Sequence, residues 1–445
     1  MHICKHCKSA KHLRNSTEKF SAATEPENID FSRLWRIERE KCAEKNIGIY
    51  IAIIYGQVVI VYNFTIYGKE SAMLKIGKNE VRISMVIKLS GAFCAFLIGA
   101  GFATGQEVMQ YFTNYGLAKG LGVMVVNCVL GAWTAGAIMS LGKETNDEQG
   151  LDCYKNLCGK YIGTLLSWFI PIFMFLTLVI MIAGFGATLN QLFGAPDWVG
   201  CLVFAVIVTG TVLLGLARVI DTIGFMGPLI IIVTTIMAIA VLIKFGFDLE
   251  TWETYINTHD VLLAADSWFM SGVLYALWNI VMGMPFMSAM GAKSKNKAEV
   301  IMGAVFGNIL FTIGLLFLVL AEGSELDVVG AFSIPALEMA KSVSPILHAI
   351  YAVIIVMAIY TTAVPLMWSV ASRVAKEKTL KFAIVCIIIA VLGFFGGQLP
   401  FEQLINYIYP VIGYVGFIQF LFIIWREIKM VRGVKSGDPL PDHKE

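Results

Sequence analysis

The sequence contains few charged residues. Only 15% of its 445 residues are Asp, Glu, Lys or Arg, whereas 57% are hydrophobic and the mean hydropathy is +0.73. Soluble globular domains usually carry about a quarter charged residues. Because water cannot solvate so much apolar surface, the composition indicates an integral membrane protein whose surroundings are a lipid bilayer. No basic patch is interleaved with aromatic residues outside the membrane loops, so we expect no nucleic-acid partner.

Catalytic motifs are also missing. The sequence has no HExxH, no GxSxG elbow, no Gly-rich nucleotide loop and no pair of carboxylates in the middle of an apolar run. Its six histidines lie mostly near the start of the chain, in loops or in the tail. We therefore expect a protein that is not an enzyme and that carries no cofactor.

Long apolar runs predict an all-α membrane protein of about ten transmembrane helices. About 20 apolar residues are needed to cross the hydrocarbon of a bilayer. Runs of this length fall into two groups of five, in residues 83–245 and 267–426. The predicted spans are Ile83–Tyr111, Gly120–Leu141, Ile162–Leu192, Trp198–Leu216, Ile220–Lys244, Trp268–Met290, Val300–Leu320, Ile346–Val374, Leu380–Gly396 and Leu404–Trp425.

The charges between these spans alternate in sign. Lysine and arginine dominate the second, fourth, sixth and eighth loops and the tail at 431–445, whereas the fifth and seventh loops are acidic. The acidic residues assigned to the seventh loop include Glu322, Glu325 and Asp327. Because cytoplasmic loops are enriched in Lys and Arg, we expect a multi-pass plasma-membrane protein whose core, residues 81–430, begins and ends in the cytoplasm.

Residues 1–80 form an N-terminal extension of different character. The first 45 residues are polar and mixed in charge, so we expect poor order there. Residues 47–68 are uncharged and long enough to span a membrane. They are compatible with an eleventh helix, with an interfacial segment, or with a chain start annotated upstream of the real one near Met73.

Glycine and proline interrupt the first span of each group. The first contains Gly99, Gly101 and Gly105 within seven residues, and the sixth contains Gly283 and Pro285. A broken helix in lipid exposes backbone N–H and C=O groups, which is tolerated where the break lines a cavity or binds an ion or ligand. Two five-helix groups with matched breaks predict two inverted repeats around a transport site, although close packing of small residues also explains the first run.

Two adjacent threonines lie in the middle of the eighth span. Thr361 and Thr362 precede Pro365 by one turn. Their hydroxyls can bond to carbonyls of the preceding turn. Alternatively, together with carbonyls released near Ala95 and Ile98, they can hold one sodium ion, since hard cations favour oxygen ligands.

These motifs carry a resemblance to a known fold. GAGFATGQE in the first span, the interrupted sixth span and AIYTTA in the eighth resemble the leucine-transporter fold of the amino acid–polyamine–cation superfamily. More narrowly, IGAGFATGQEVMQYF is similar to the YkvI-type family of uncharacterised bacterial membrane proteins. The resemblance covers residues 81–430 and implies a sodium site formed by a set of residues from the first and eighth spans: Ala95, Ile98, Ala358, Thr361 and Thr362.

Glu107 is the one carboxylate expected within the first span. Many amino-acid carriers of the fold have an arginine just after the first-helix break, where this chain has Gln106 and Glu107. Glu107 can attract a cationic group, take up a proton, or lie solvated in an outer vestibule. Intramembrane carboxylates are functional candidates by default.

The substrate is expected between the two interrupted spans. N–H groups after Gly101 suit a carboxylate, and carbonyls near Asn279 suit an ammonium group. The residues predicted to bind the substrate are Gly99, Gly101, Phe102, Thr104, Trp278, Asn279 and Gly283. We therefore expect sodium-coupled symport of a small amino acid or amine. The alternative is a membrane sensor of the same fold that binds its ligand without moving it. Nothing in the sequence indicates the oligomeric state.

Overall fold

The computed structural model describes residues 49–54, 57–62, 73–76, 79–147, 150, 152–214 and 217–436. The chain divides into two units, Met1–Ser71 and Ala72–Glu445. In the described part of the first unit, strands β1 (Ile49–Ile54) and β2 (Gln57–Tyr62) form an antiparallel hairpin. An eleventh helix is therefore wrong for these residues, because their Ile and Val residues favour extended backbone. Residues 1–48, predicted to be poorly ordered, lie outside the described residues.

The second unit is mainly helical. It begins with a short antiparallel hairpin of strands β3 (Met73–Ile76) and β4 (Asn79–Arg82). The helices that follow, numbered in chain order, are α1 (Ile83–Leu97), α2 (Ala100–Thr104), α3 (Gln106–Tyr111), α4 (Leu117–Thr145), α5 (Cys153–Phe193), α6 (Asp197–Leu214), α7 (Ala217–Phe245), α8 (Leu249–Thr258), α9 (Trp268–Ala292), α10 (Lys297–Ser324), α11 (Leu326–Val329), α12 (Pro335–Val343), α13 (Pro345–Val374), α14 (Leu380–Gly396) and α15 (Phe401–Ser436).

All ten predicted spans coincide with helices, and the chain is an all-α integral membrane protein. Seven helices among the described residues are individually long and apolar enough to cross a membrane: α4, α5, α6, α9, α10, α13 and α15. The first predicted span is divided into α1, α2 and α3, and α14, with 17 residues, is shorter. The fifth meets the criterion only together with α8, across a bend of 103°. Helix α15 continues to Ser436, so the predicted tail begins as helix.

Small residues allow α4 and α9 to approach closely. A Cβ at Gly142 would overlap the carbonyl of Ser288, and one at Gly291 would overlap the carbonyl of Met139. Close backbone approach through small residues is a common form of helix packing in membranes, where lipid supplies no hydrophobic drive between helices. Helix α10 packs against α1 and α4 on the other side of this pair.

The sixth span is not broken, contrary to the prediction. Helix α9 runs without interruption from Trp268 to Ala292 with Pro285 inside it. Proline lacks the N–H that would bond to the carbonyl four residues earlier, that of Val281. The hydroxyl of Tyr154 donates to this carbonyl at 3.1 Å. Tyr154 precedes a bend in α5 at Gly159 (φ 75°). Another helix thus satisfies the group that Pro285 leaves free, and α9 stays continuous.

We predict that Tyr154→Phe lowers the unfolding free energy by about 1–3 kcal/mol, because it leaves the buried Val281 carbonyl without a donor. Tyr161→Phe, on the same helix but 88% exposed, is the matched control and should change it by less than about 0.5 kcal/mol. In a Pro285→Ala background the 285 N–H replaces the lost donor, so the cost of Tyr154→Phe should fall. Unfolding in detergent micelles, followed by tryptophan fluorescence, measures all four values; an unchanged cost in the alanine background would contradict this account of α9.

Candidate functional site

The first span is broken, as predicted, and the structure shows two joints. Helix α1 ends before Ile98 (φ −91°, ψ 85°), and Gly99 is extended (φ −91°, ψ −175°). Helix α2 then ends at Gly105, whose φ of 84° lies in the left-handed region. A residue with a Cβ rarely adopts that conformation, so glycine suits this position. The break therefore produces a five-residue helix between two joints.

Side chains satisfy some of the backbone groups that the break releases. The Tyr351 hydroxyl on α13 donates to the Ala103 carbonyl at 2.9 Å, and the Thr104 hydroxyl donates to the Gly101 carbonyl at 2.9 Å. Among the described residues, no hydrogen bond is made to the carbonyl oxygens of Ala95 or Ile98. These two oxygens remain open to a cation or to water.

The threonines of the eighth span make local hydrogen bonds to the preceding turn, which was one of the two alternatives that the sequence left open. The hydroxyls of Thr361 and Thr362 donate to the Ala358 carbonyl at 3.1 and 2.9 Å. That carbonyl thus has two side-chain donors within a continuous helix, and the lone pairs of the two hydroxyls stay available. The main contact of α13 with the first span is with α2, through Tyr351. The sodium set of Ala95, Ile98, Ala358, Thr361 and Thr362 stays a prediction.

A cavity lies between α1, α4, α9 and α10. Asn279 is the only residue predicted to bind substrate that lines this cavity. Phe102 packs against Phe311 at 5.5 Å between ring centroids, Trp278 stacks on Tyr409 at 4.4 Å, and Gly283 lies against Phe96. Thr104 bonds locally, Gly101 lies under Glu107, and a Cβ at Gly99 would meet nothing within 4 Å.

Three asparagines mark the cavity. It lies between α1, α4, α9 and α10, has a volume of about 10 Å³, and has no charged residue among its lining residues. Asn127, Asn279 and Asn308 supply its amides, and Oδ1 of Asn308 has no hydrogen-bond partner among the described residues. The other lining residues are small or apolar: Phe93, Leu97, Gly131, Ala135, Ala276, Ile280 and Met287.

Asn127 and Asn308 were not predicted as site residues. Each lies within an apolar run, in the second and seventh spans, and is at most 4% exposed. Polar residues inside a membrane span are themselves a functional signal, and that signal was available. Gly131 makes room for Asn308, since a Cβ there would lie 2.5 Å from its Nδ2.

The C-terminal part of the first span is covered by the segment between α8 and α9 and by the beginning of α9. Residues 100–116 are all buried. The Asn114 side chain donates to the Leu262 carbonyl at 2.9 Å, the Ala264 N–H donates to the Gln110 carbonyl at 3.2 Å, and the Ser271 hydroxyl donates to the Tyr111 carbonyl at 2.8 Å. These bonds thus hold residues 110–114 against that segment.

Glu107 is buried, so its interpretation as a solvated vestibule residue is wrong. Its side chain is 2% exposed and lies directly over Gly101, where a Cβ would overlap Oε2. The Tyr275 and Tyr111 hydroxyls interact electrostatically with this carboxyl but lack hydrogen bonds of ordinary geometry. Helix packing, not sequence position, removes Glu107 from water.

Glu322 is a second buried carboxylate beside the first span, and its assignment to an acidic outer loop is wrong. Helix α10 continues to Ser324, which brings Glu322 into the last turn with no exposed surface. Its Oε2 accepts a hydrogen bond from the Thr113 hydroxyl at 2.7 Å. Oε1 has no partner among the described residues and faces Gly105. A helix boundary misplaced by one turn hid this residue from the sequence analysis.

An ion pair fixes the beginning of the first span. Arg82, just before α1, makes two side-chain bonds of 2.8 Å to the fully buried Glu299 of α10. The same carboxylate accepts the backbone N–H groups of Arg82 and Lys295, both at 3.0 Å. A bidentate, fully hydrogen-bonded pair of this type holds the two helix ends in one geometry.

Comparison with known proteins agrees with the family resemblance. No family model matches the chain. It is similar to the uncharacterised membrane protein YkvI of Bacillus subtilis, with 23% identity over 331 residues covering 74% of this chain and 92% of that protein. It is also similar to the uncharacterised protein YyaD of the same organism, with 25% identity over 322 residues covering 71% and 89%.

A solved structure has the same fold. MhsT, crystallised with L-phenylalanine, superposes with a TM-score of 0.56 at 14% identity, covering 82% of this chain and 94% of that one. At this identity the likeness is one of fold alone. The predicted leucine-transporter fold is confirmed.

The two glycines of the break should respond differently to the same substitution. Gly101→Ala forces the buried Glu107 side chain to move and should lower the unfolding free energy by about 1–3 kcal/mol. Gly99→Ala enters open space at an ordinary φ, so its effect should stay within about 0.5 kcal/mol. Combining Gly101→Ala with Glu107→Ala removes the clash and should cost less than the sum of the single changes. Additive costs in detergent unfolding would show that Glu107 is not the obstacle.

Proposed function

We propose that this chain is a secondary active transporter that couples the entry of sodium to symport of a small amino acid or amine. The observation that carries the proposal is the double break of the first span beside a cavity lined by asparagines. Within a bilayer, non-helical backbone is tolerated where it is buried in protein or lines such a cavity.

The sodium proposal rests on the open carbonyls at the break. Those of Ala95 and Ile98 accept no hydrogen bond from a described residue, and the hydroxyls of Thr361 and Thr362 keep lone pairs for a cation. The carbonyl of Ala358 can join this set only after giving up the hydrogen bonds that it accepts from the two threonine hydroxyls.

The substrate class follows from the cavity. Its amides offer both donors and acceptors but no full charge, which suits a small zwitterion or amine whose charges are paired or partly neutralised. In this arrangement the cavity has a volume of about 10 Å³, which is room for about one water molecule, so a solute would enter only after the helices move apart. The L-phenylalanine bound to MhsT also favours an amino acid.

Alternating access would use the first and sixth spans as one moving group. Together with their neighbours they would rock against the third, fourth, eighth and ninth spans, opening the cavity to one side at a time. With both ends of the core in the cytoplasm, each sodium ion that enters at a membrane potential of about 100 mV contributes about 2.3 kcal/mol to accumulation of the solute.

The test is uptake by proteoliposomes that contain the purified chain, with an amino-acid and amine panel under an inward sodium gradient. We expect uptake of at least one solute that ceases when choline replaces sodium. Thr361→Ala/Thr362→Ala should lose the sodium dependence. Thr164→Ala is the matched control, because this exposed threonine bonds back to the Lys160 carbonyl in the same way but lies far along the chain from the site.

Stability measurements distinguish transport from binding alone. A ligand at about a hundred times its dissociation constant adds about 2.7 kcal/mol to the folded state. A solute that stabilises the protein but is never taken up would favour the sensor. Uptake driven by a proton gradient and indifferent to sodium would exclude sodium coupling, while absence of both binding and uptake would contradict the transporter.

A further inference from the structure

Glu322 is a buried acid that the proposed sodium and substrate sites do not use. It lies at the outer end of α10 with no exposed surface. One carboxyl oxygen has the Thr113 hydroxyl as its donor at 2.7 Å, and the other has no hydrogen-bond partner among the described residues. That open oxygen is aimed at Gly105, the outer joint of the first span.

The Thr113 hydroxyl and Gly105, the two neighbours of this carboxyl, both belong to the C-terminal part of the first span. Thr113 follows α3, and Gly105 precedes it. Trp252 of α8 covers the same place, since its indole lies on Gly323 and its Nε1 donates to the Thr113 carbonyl at 2.9 Å. Glu322 therefore contacts a segment that must move if the site opens outward, and Trp252 shields it from solvent.

No positively charged side chain among the described residues pairs with Glu322. The Tyr351 hydroxyl of α13 faces it but is bonded to Ala103 and Thr234. Glu107 lies over Gly101 instead. The remaining charged groups of the surrounding elements engage elsewhere: Lys244 on the carbonyls of Ser342 and Val343, Lys341 on Glu338, Glu325 on Ser342, and Glu253 near Gly116.

An ionised carboxylate in this position would be costly. Removing an unpaired charge from water is strongly unfavourable, and a buried acid then favours its neutral form. The N-terminal end of α12, at Ala336, lies beside the same face of Gly105 as Oε1 of Glu322. A helix end carries only about half an elementary charge, which does not replace a counter-ion. The closed arrangement therefore requires a proton on Glu322.

We propose that Glu322 is a proton-binding residue whose protonation closes the outer part of the first span. In the closed state the carboxyl is neutral, with its proton taken from the outer solution. When α3 and Thr113 move away, water reaches the carboxyl and the proton leaves. The proposal deepens the proposed transport function, because it adds a proton to the ions that control access from outside.

Hydrogen–deuterium exchange of the full chain in nanodiscs tests this without measuring transport. The wild type should protect residues 106–116 at low pH. After correction for intrinsic exchange, protection should fall by at most about tenfold per pH unit above the transition, as expected for one proton, in a series from about pH 5 to about pH 9. Glu322→Gln, which keeps the shape and stays neutral, should remain protected throughout. Glu325→Gln, one turn away on Ser342, is the matched control and should follow the wild type.

A second variant keeps the test decisive if Glu322→Gln fails to fold. Thr113→Val removes the described donor to the carboxylate, which disfavours the charged form, so its transition should move to higher pH. Protection that does not depend on pH in the wild type, or that depends on sodium instead, would overturn the proposal. So would a Glu322→Gln protein that opens like the wild type. A protein that moves no solute could still pass this test, so the two proposals fail separately.

Discussion

The structure depends on one constraint: hydrocarbon offers no hydrogen bonds to the backbone. Every peptide group released inside a spanning helix must therefore find its partner within the protein. The chain meets this requirement in two ways. At Pro285, the tyrosine hydroxyl of a neighbouring helix replaces the missing donor, and the helix continues. At the first span the helix divides, side chains satisfy some of the released groups, and the carbonyls of Ala95 and Ile98 are left for an ion or water.

This difference explains why similar sequence signals had different outcomes. Both spans contain glycine near their middle, and only the sixth contains proline, the stronger helix breaker. Yet the first span is the one that breaks, because three glycines within seven residues weaken several turns and Gly105 adopts a left-handed conformation. Tyr154, which stabilises α9, lies 131 residues from Pro285 in the sequence (285 − 154). Such a contact between distant segments cannot be read from either segment alone.

The parts of the fold that could be predicted from the sequence are those that depend on the length of each apolar run. All ten predicted spans coincide with helices, and the division of the first followed from its glycines. Glu322 was missed because α10 extends one turn beyond its apolar run, and Glu107 was only partly understood because its burial depends on α9 and α15. Asn127 and Asn308 were visible as polar residues within apolar spans. Their meeting required the packing of α4 against α10.

The two ends of the first span are attached to different parts of the protein. At its beginning, Arg82 attaches to Glu299, and at its outer end residues 110–115 attach to the segment before α9. These two attachments involve different parts of the second five-helix group. Between them lies a short helix whose main external hydrogen bond is from Tyr351 to Ala103.

A helix with one joint can only tilt, so its far end describes an arc. A chain of three rigid segments joined at Ile98–Gly99 and at Gly105 has more freedom. Rotation of the five-residue link about both joints displaces the outer segment sideways while its axis keeps its direction. The two joints thus allow the segment after Gly105 to shift parallel to itself relative to α1, so that a movement at one end of the span becomes a translation at the other end.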